Sequence, residues 1–226
     1  MLKENYDHIS DQIADACREV SRDPGEVCLI AVSKTKPAEM IRELYEAGVR
    51  DFGENRVQEL VEKYEKLPKD IRFHLIGHLQ TNKVKYIVDK AYMIHSVDSY
   101  KLAREISREA VKKNVDVKVL IEVNMAREES KFGVLPEDCT ELIREAAKLP
   151  NLSIRGLMTV APYVTDPGEN SIIFRKMRQL SIDIKEKNID NVLMEFLSMG
   201  MSGDFQAAVK EGATHVRVGT AIFGER

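Results

Sequence analysis

No stretch of this 226-residue chain approaches the roughly 18 consecutive apolar residues that a membrane-spanning helix needs. The N-terminus reads MLKENYDHIS, polar from its first residues, so no secretory leader is indicated. Cysteine is scarce: Cys17, Cys28 and Cys139 are odd in number, far apart and form no CxxC pair. Neither a zinc cluster nor a disulfide framework is indicated, and small buried or half-buried roles fit better. Charge of one sign is not in excess either, with Lys plus Arg 34 against Asp plus Glu 37 and a net charge of −3. That argues against nucleic-acid binding driven by bulk charge, while a small anionic ligand needs only local positive potential. There is no Walker loop, no GxGxxG after a strand, no HExxH and no GxSxG. No Pro/Gly/Ser linker, low-complexity tract or composition shift divides the chain. One cytoplasmic domain over residues 1–226 is expected, with no second domain after the last strand, and no membrane or nucleic-acid partner.

What is present is a soluble balance, 43% hydrophobic and 31% charged, in a chain long enough to bury a large core. Eight short segments rich in branched apolar residues recur: 28–35, 51–55, 73–77, 92–98, 117–124, 153–160, 196–200 and 215–220. Near-continuous apolar runs of this length suit parallel strands buried on both faces. The stretches between them are amphipathic. In 56–67, Val57, Leu60, Val61, Tyr64 and Leu67 recur at offsets of three and four, and 101–111 and 139–149 repeat the pattern. Pro37 and Pro136 stand near helix starts, Gly48 and Gly212 near helix ends. A further helix over about 4–20 precedes the first strand. Eight strand–helix alternations predict a single (β/α)8 TIM barrel, the main rival being an open doubly wound sheet. The segment 161–170 reads as a loop.

Active sites of such barrels gather at the carboxyl ends of the strands. That makes candidates of Lys34, Asn55, His78, Gln80, Ser96, Asp98, Asn124, Met158 to Pro162, Ser198, Gly200, Gly219 and Thr220. The loops after strands seven and eight, which often build a phosphate site, read LSMGMSGD (197–204) and RVGTAIFG (217–224). Their glycines let backbone N–H groups approach a phosphate, and Ser198, Ser202 and Thr220 add hydroxyls. Ser202 is also placed to cap a helix running to Gly212. The alternative is ordinary turn glycine and capping.

Lys34 follows LIAVS, where partial desolvation favours the neutral amine that condenses with an aldehyde. Lys36 competes. Strand alternation gives the two lysines the same parity. Lys36 precedes Pro37 and sits farther past the strand, nearer water, so Lys34 is preferred. Arg217, between Val216 and Val218, needs an acceptor inside the barrel. Either a carboxylate such as Glu54 or Glu122 or a cofactor's ring nitrogen would serve. His74 and His78 fall on or beside a strand, where four residues span about 13 Å, too far to share one metal. The charged run KYEKLPKD (63–70) reads as a solvated helix end.

The segments AVSKTKP (31–37), FGEN and VQE (52–59) and FHLIGHLQTNK (73–83) together resemble the pyridoxal phosphate homeostasis proteins. So do SVDS (96–99), the gapped VN, E and SKFG (123–133), RGLM (155–158), LSMGMSGD and VRVGTAIFG (216–224). The matches run in order from about residue 28 to the end. The resemblance implies a fold-type III barrel like the N-terminal domain of alanine racemase. It implies pyridoxal 5′-phosphate held as a Schiff base on Lys34 and a cofactor site shared with Asn55. It further implies phosphate on Ser198, Gly200, Gly219 and Thr220, and the ring nitrogen facing Arg217. Family members are thought to buffer and deliver the cofactor, with enzymes that require it as recipients, rather than to turn over a substrate. No catalytic residue and no metal are expected, and a monomer rather than an obligate dimer. An arginine at the ring nitrogen would leave the cofactor a weaker electron sink. The competing functions are a racemase or related lyase on the same lysine, which needs a second acid–base group, and a sugar-phosphate aldolase working through a lysine imine.

Overall fold

The computed structural model describes residues 1–224. Glu225 and Arg226, the last two of the expected 1–226 domain, lie outside the described residues. Eight parallel strands close into a barrel in chain order, β1 (Cys28–Val32), β2 (Asp51–Glu54), β3 (Arg72–Leu75), β4 (Met93–Val97), β5 (Val117–Glu122), β6 (Leu152–Met158), β7 (Val192–Met201) and β8 (His215–Val218). Closure is between β1 and β8, which pair Cys28 with His215 through Ala31 with Val218. The eight-stranded barrel expected from the alternation is therefore present, and the open sheet is not.

Helices α1 (Leu2–Glu19), α2 (Ala38–Glu46), α3 (Val57–Lys66), α4 (Tyr100–Lys113), α5 (Pro136–Ala146), α6 (Ser171–Glu186), α7 (Phe205–Lys210) and α8 (Thr220–Phe223) complete the chain. Pro37 precedes α2 and Pro136 opens α5, where a missing N–H costs nothing. Ser99 caps α4 through the Leu102 N–H. Between β3 and β4 the alternation is irregular: a 3₁₀ segment, Thr81–Tyr86, stands where a helix was expected. The strand ends also move. β1 stops at Val32 rather than 35, β8 at Val218 rather than 220, and β7 runs from Val192, four residues earlier than its apolar run suggested. α1 packs across α7 and α8, and the Asn5 amide donates to the Ile222 carbonyl at 3.0 Å.

Outward strand residues such as Phe52, Phe73 and Ile94 share one buried cluster with Ile41, Leu60 and Ile106 of the helices. The barrel interior is different. A small apolar plug, Met93, Leu120 and Met158, is joined there by buried His74, His95, His215, Ser198 and Arg217. Inward polar residues must find partners or a ligand, so the barrel interior carries polar groups that need one or the other. No helix among the described residues is long and apolar enough to cross a membrane. Cys17, Cys28 and Cys139 are unbridged.

Candidate functional site

A cavity of about 430 Å³ opens at the carboxyl ends of β1, β2, β7 and β8. Lys34, Lys36, Asn55, Arg217, Gly219 and Thr220 line it with Thr35, Ser202, Gly203 and Gly224, and Val32, Ile76, Val160 and Met201 supply apolar wall. Its size lies within the range of small-molecule sites, roughly 300–1,000 Å³. Three cations and no carboxylate face it among the described residues, so its potential favours an anion.

Lys34 stands in a turn two residues past β1. The Lys36 N–H closes that turn on the Ser33 carbonyl at 3.0 Å, with Thr35 in the left-handed region at φ 65°. Four further bonds hold the turn from outside the barrel. The Thr35 N–H donates to Glu59 Oε2 at 2.7 Å, and Ser33 Oγ donates to Glu54 Oε1 at 2.6 Å. Lys63 Nζ donates to the Ser33 carbonyl at 2.8 Å and to Glu54 Oε1 at 2.7 Å. Burial pushes the Glu54 carboxyl up, and the Lys63 ammonium opposes it.

This geometry corrects two expectations. Lys63 is no solvated end of a charged run: it is buried on the face of α3 that carries Val57 and Leu60. Its spacing, three residues beyond Leu60, was the signal. The parity argument for the two lysines also lapses, because the turn ends strand alternation before Lys34. Both lysines are half-buried and line the same cavity, and Lys36 Nζ donates to the carbonyls of Phe223 at 3.3 Å and Gly224 at 3.1 Å.

Arg217 is buried and finds neither carboxylate as a hydrogen-bond partner. Glu54 points out to Lys63, while Arg217 donates to Ser198 Oγ at 2.6 Å and to the Thr159 carbonyl at 2.9 Å. Burial pushes its pKa down to about 10, against the opposing charges of Glu122 and Asp204, so it remains a cation at neutral pH. On β5, Glu122 is raised to about 7, by burial first and then by Asp98, with Arg217 opposing.

The phosphate assignments divide. Gly219 and Thr220 line the cavity, but Ser198 and Gly200 do not. The Ser198 hydroxyl sits wholly inside the barrel, between Arg217 and His95. Past Ser198 the β7–β8 register shifts, and Gly200, at φ 92°, turns to α7, where a Cβ would stand 2.6 Å from that of Ala208. Ser202 and Gly203 take the two vacated places in the lining. Ser202 is not a helix cap. α7 begins only at Phe205 after Asp204, and Ser202 Oγ accepts the Gly219 N–H at 3.3 Å, tying the two glycine-bearing loops together. A Cβ on Gly203 would meet nothing within 4 Å, whereas one on Gly219 would press on the Val32 carbonyl at 3.2 Å. One wall is thus open and the other closely packed.

His74 is inside the barrel and His78 outside it, stacked on Phe132 at 3.8 Å. Among the described residues no group of three His, Cys, Asp or Glu side chains is placed to hold a metal.

The model of the alanine racemase N-terminal domain matches residues 5–226. Among curated relatives, a pyridoxal phosphate homeostasis protein of Aquifex aeolicus is 47% identical over 226 residues, covering 99% of this chain and 97% of that one. Its counterpart in Pseudomonas aeruginosa is 40% identical over 226 residues, covering 100% and 96%. Among solved structures, PipY of Synechococcus elongatus with pyridoxal phosphate bound superposes with a TM-score of 0.82 at 39% identity, covering 94% of this chain and all of that one. Alanine racemase of Clostridium difficile shares the fold, with a TM-score of 0.77 at 16% identity, covering 100% of this chain and 56% of the racemase.

Proposed function

The chain belongs to the pyridoxal phosphate homeostasis family, built on the alanine racemase N-terminal domain, and from that premise we propose how its own residues bind the cofactor. The chain is a pyridoxal 5′-phosphate-binding protein of intracellular cofactor homeostasis. The cofactor supplies an aldehyde that a primary amine captures as an imine. Lys34 presents that amine in a turn held on its outer side by Lys63, Glu54 and Glu59. Arg217 is a fixed cation whose remaining N–H groups serve the ring nitrogen. Asn55, Val32, Ile76 and Val160 flank the ring, while Ser202, Gly203, Gly219 and Thr220 hold the phosphate.

The observation that carries this reading is the lining itself: one lysine turn, one buried arginine and two glycine-bearing loops around one cavity with no carboxylate among the described residues. Residues 1–226 act as one cofactor-binding domain, a cytoplasmic monomer that buffers the cofactor and delivers it to enzymes that require it. Racemisation asks for acid–base groups on both faces of the cofactor. Besides Lys34 and Lys36, the described lining offers Arg217 but no tyrosine, histidine or carboxylate, which supports holding over turnover.

Mixing the protein with pyridoxal phosphate is expected to give a yellow complex that borohydride fixes on the peptide containing Lys34. Lys34→Ala is expected to abolish the visible band, and Lys36→Ala to keep it. A label that appears at Lys36, or an unchanged spectrum in Lys34→Ala, overturns the assignment. Turnover of L-alanine or L-serine at ~1 s⁻¹ or above, within the ordinary enzyme range, overturns the non-catalytic reading.

A further inference from the structure

We propose that Asp51, His74, His95 and Ser198 form one directed hydrogen-bond chain through the barrel interior that positions Arg217 toward the cofactor's ring nitrogen. The proposal rests on the role given to Arg217 above. The links are continuous. Asp51 Oδ1 lies 3.0 Å from His74 Nε2, and His74 Nδ1 lies 2.9 Å from His95 Nε2. His95 Nδ1 lies 2.9 Å from Ser198 Oγ, which lies 2.6 Å from a terminal nitrogen of Arg217. All four inner groups are buried, so each unmade bond would be expensive.

The direction of the chain follows from its two ends. A carboxylate only accepts, so His74 must carry its proton on Nε2. Burial keeps His74 and His95 neutral, pushing both below the ordinary histidine range. His74 Nδ1 is then an acceptor, and His95 Nε2–H donates to it. His95 Nδ1 is in turn an acceptor, and the Ser198 hydroxyl donates to it. That leaves a Ser198 lone pair for the one group that can only donate, Arg217. Every group along the way donates once and accepts once, and no other tautomer assignment satisfies all four bonds.

A hydroxyl that donates becomes a better acceptor, since aligned bonds polarise one another. The chain therefore tightens the bond from Arg217. With the Thr159 carbonyl as second acceptor, 2.9 Å away, the guanidinium is held through both of its terminal nitrogens. At the far end Asp51 is anchored in turn by Arg72, whose Nε donates to it at 2.8 Å. Asp51, His74, His95 and Ser198 are positioning residues: Arg217 lines the cavity, and they act through it.

Two measurements test this. Nitrogen-15 spectra of the histidines in the cofactor-free protein are expected to show His74 and His95 neutral and protonated on Nε2. Ser198→Ala is expected to weaken pyridoxal phosphate binding roughly tenfold or more, the scale of one hydrogen bond to a charged group, and to shift the visible band. Ser198→Thr, which keeps the hydroxyl, is expected to restore both, and His95→Leu to weaken binding one step removed. A proton on Nδ1 of either histidine, wild-type affinity in Ser198→Ala, or equal losses in Ser198→Ala and Ser198→Thr overturns the proposal. Should Ser198→Ala not fold, the tautomers of the unaltered chain and the His95→Leu titration decide. If the unaltered chain takes up no cofactor while its tautomers are as stated, the functional reading fails and the chain stands without its purpose.

Discussion

Lys63 Nζ lies 2.7 Å from Glu54 Oε1 in a buried ion pair directly behind the turn that carries Lys34. Neither residue lines the cavity, yet both bond to Ser33, the residue before the reactive lysine. Two charges taken from water gain little net stability as a pair, but removing one strands the other. Lys63→Met is expected to destabilise the fold by about 3–5 kcal/mol in urea unfolding. Lys63→Met combined with Glu54→Leu is expected to recover most of that loss. Both variants are expected to bind pyridoxal phosphate more weakly, because Lys63→Met removes the bond to the Ser33 carbonyl and the double variant also removes that from the Ser33 hydroxyl, leaving the turn only its bond to Glu59. Unchanged stability in Lys63→Met would show that the pair is not the clamp inferred here.

Glu122 is, like Glu54, a buried carboxyl whose ionisation opposes folding. Its folded pKa, about 7, lies above the ordinary value of 4.5. The folded state holds the proton more tightly, so its contribution is full below pH 4.5 and is lost as pH rises through about 7. Glu122→Gln removes that loss. The variant is expected to be more stable than the unaltered protein at pH 8, by at most roughly 3 kcal/mol for a shift of this size, and no more stable at pH 4.5. Thermal melts at the two pH values check it, and an equal effect at both would contradict the assignment.

The barrel was legible because its period is: eight apolar runs separated by amphipathic stretches permit few other folds. Lys34, Asn55, Gly219 and Thr220, singled out at strand ends, and Arg217, singled out between two valines of the last strand, do line one cavity; what that cavity holds is the proposal made above. Other placements were not legible. Ser198 and Gly200, which the resemblance implied for the phosphate, do not line that cavity: the Ser198 hydroxyl lies between Arg217 and His95, and past it a register shift accompanies the turn of Gly200 to α7. Lys63 looked solvated because a charged side chain on a helix usually is, and its partner Glu54 belongs to a different element. The histidine chain was invisible for the same reason: its members come from β2, β3, β4 and β7, and only closure of the barrel brings them into line.

Three buried histidines make the fold acid-sensitive. His74 and His95 are held below their ordinary value of 6.5 by burial, and His215 falls to about 3 for the same cause. Their folded values lie below the unfolded ones, so unfolding takes up protons and stability is lost as pH falls below 6.5. Glu122 works the other way with one proton between pH 4.5 and about 7. Glu54, also pushed up by burial, acts in the same sense as Glu122, so stability is expected to fall between pH 6.5 and 4.5 by less than the roughly 4 kcal/mol per pH unit that three histidine protons alone would give. Denaturant titrations across that window give the slope, which should steepen in Glu122→Gln. A flat profile would mean that the histidines protonate without unfolding.

Gly200 and Gly203, three residues apart, separate structure from binding. At Gly200 the backbone is left-handed, φ 92°, and an added Cβ would stand 2.6 Å from that of Ala208. Gly200→Ala is expected to destabilise the fold by roughly 1–3 kcal/mol, with the cofactor bound normally in whatever fraction remains folded. At Gly203 an added Cβ meets nothing, and the position faces the cavity. Gly203→Leu is expected to leave stability within about 0.5 kcal/mol while filling the place assigned to the phosphate, so affinity should drop more than tenfold. Free pyridoxal, which lacks the phosphate, should lose much less in the same variant. If Gly203→Leu binds pyridoxal phosphate as the unaltered chain does, the phosphate lies elsewhere, and the loop after β7 is a wall rather than a cradle.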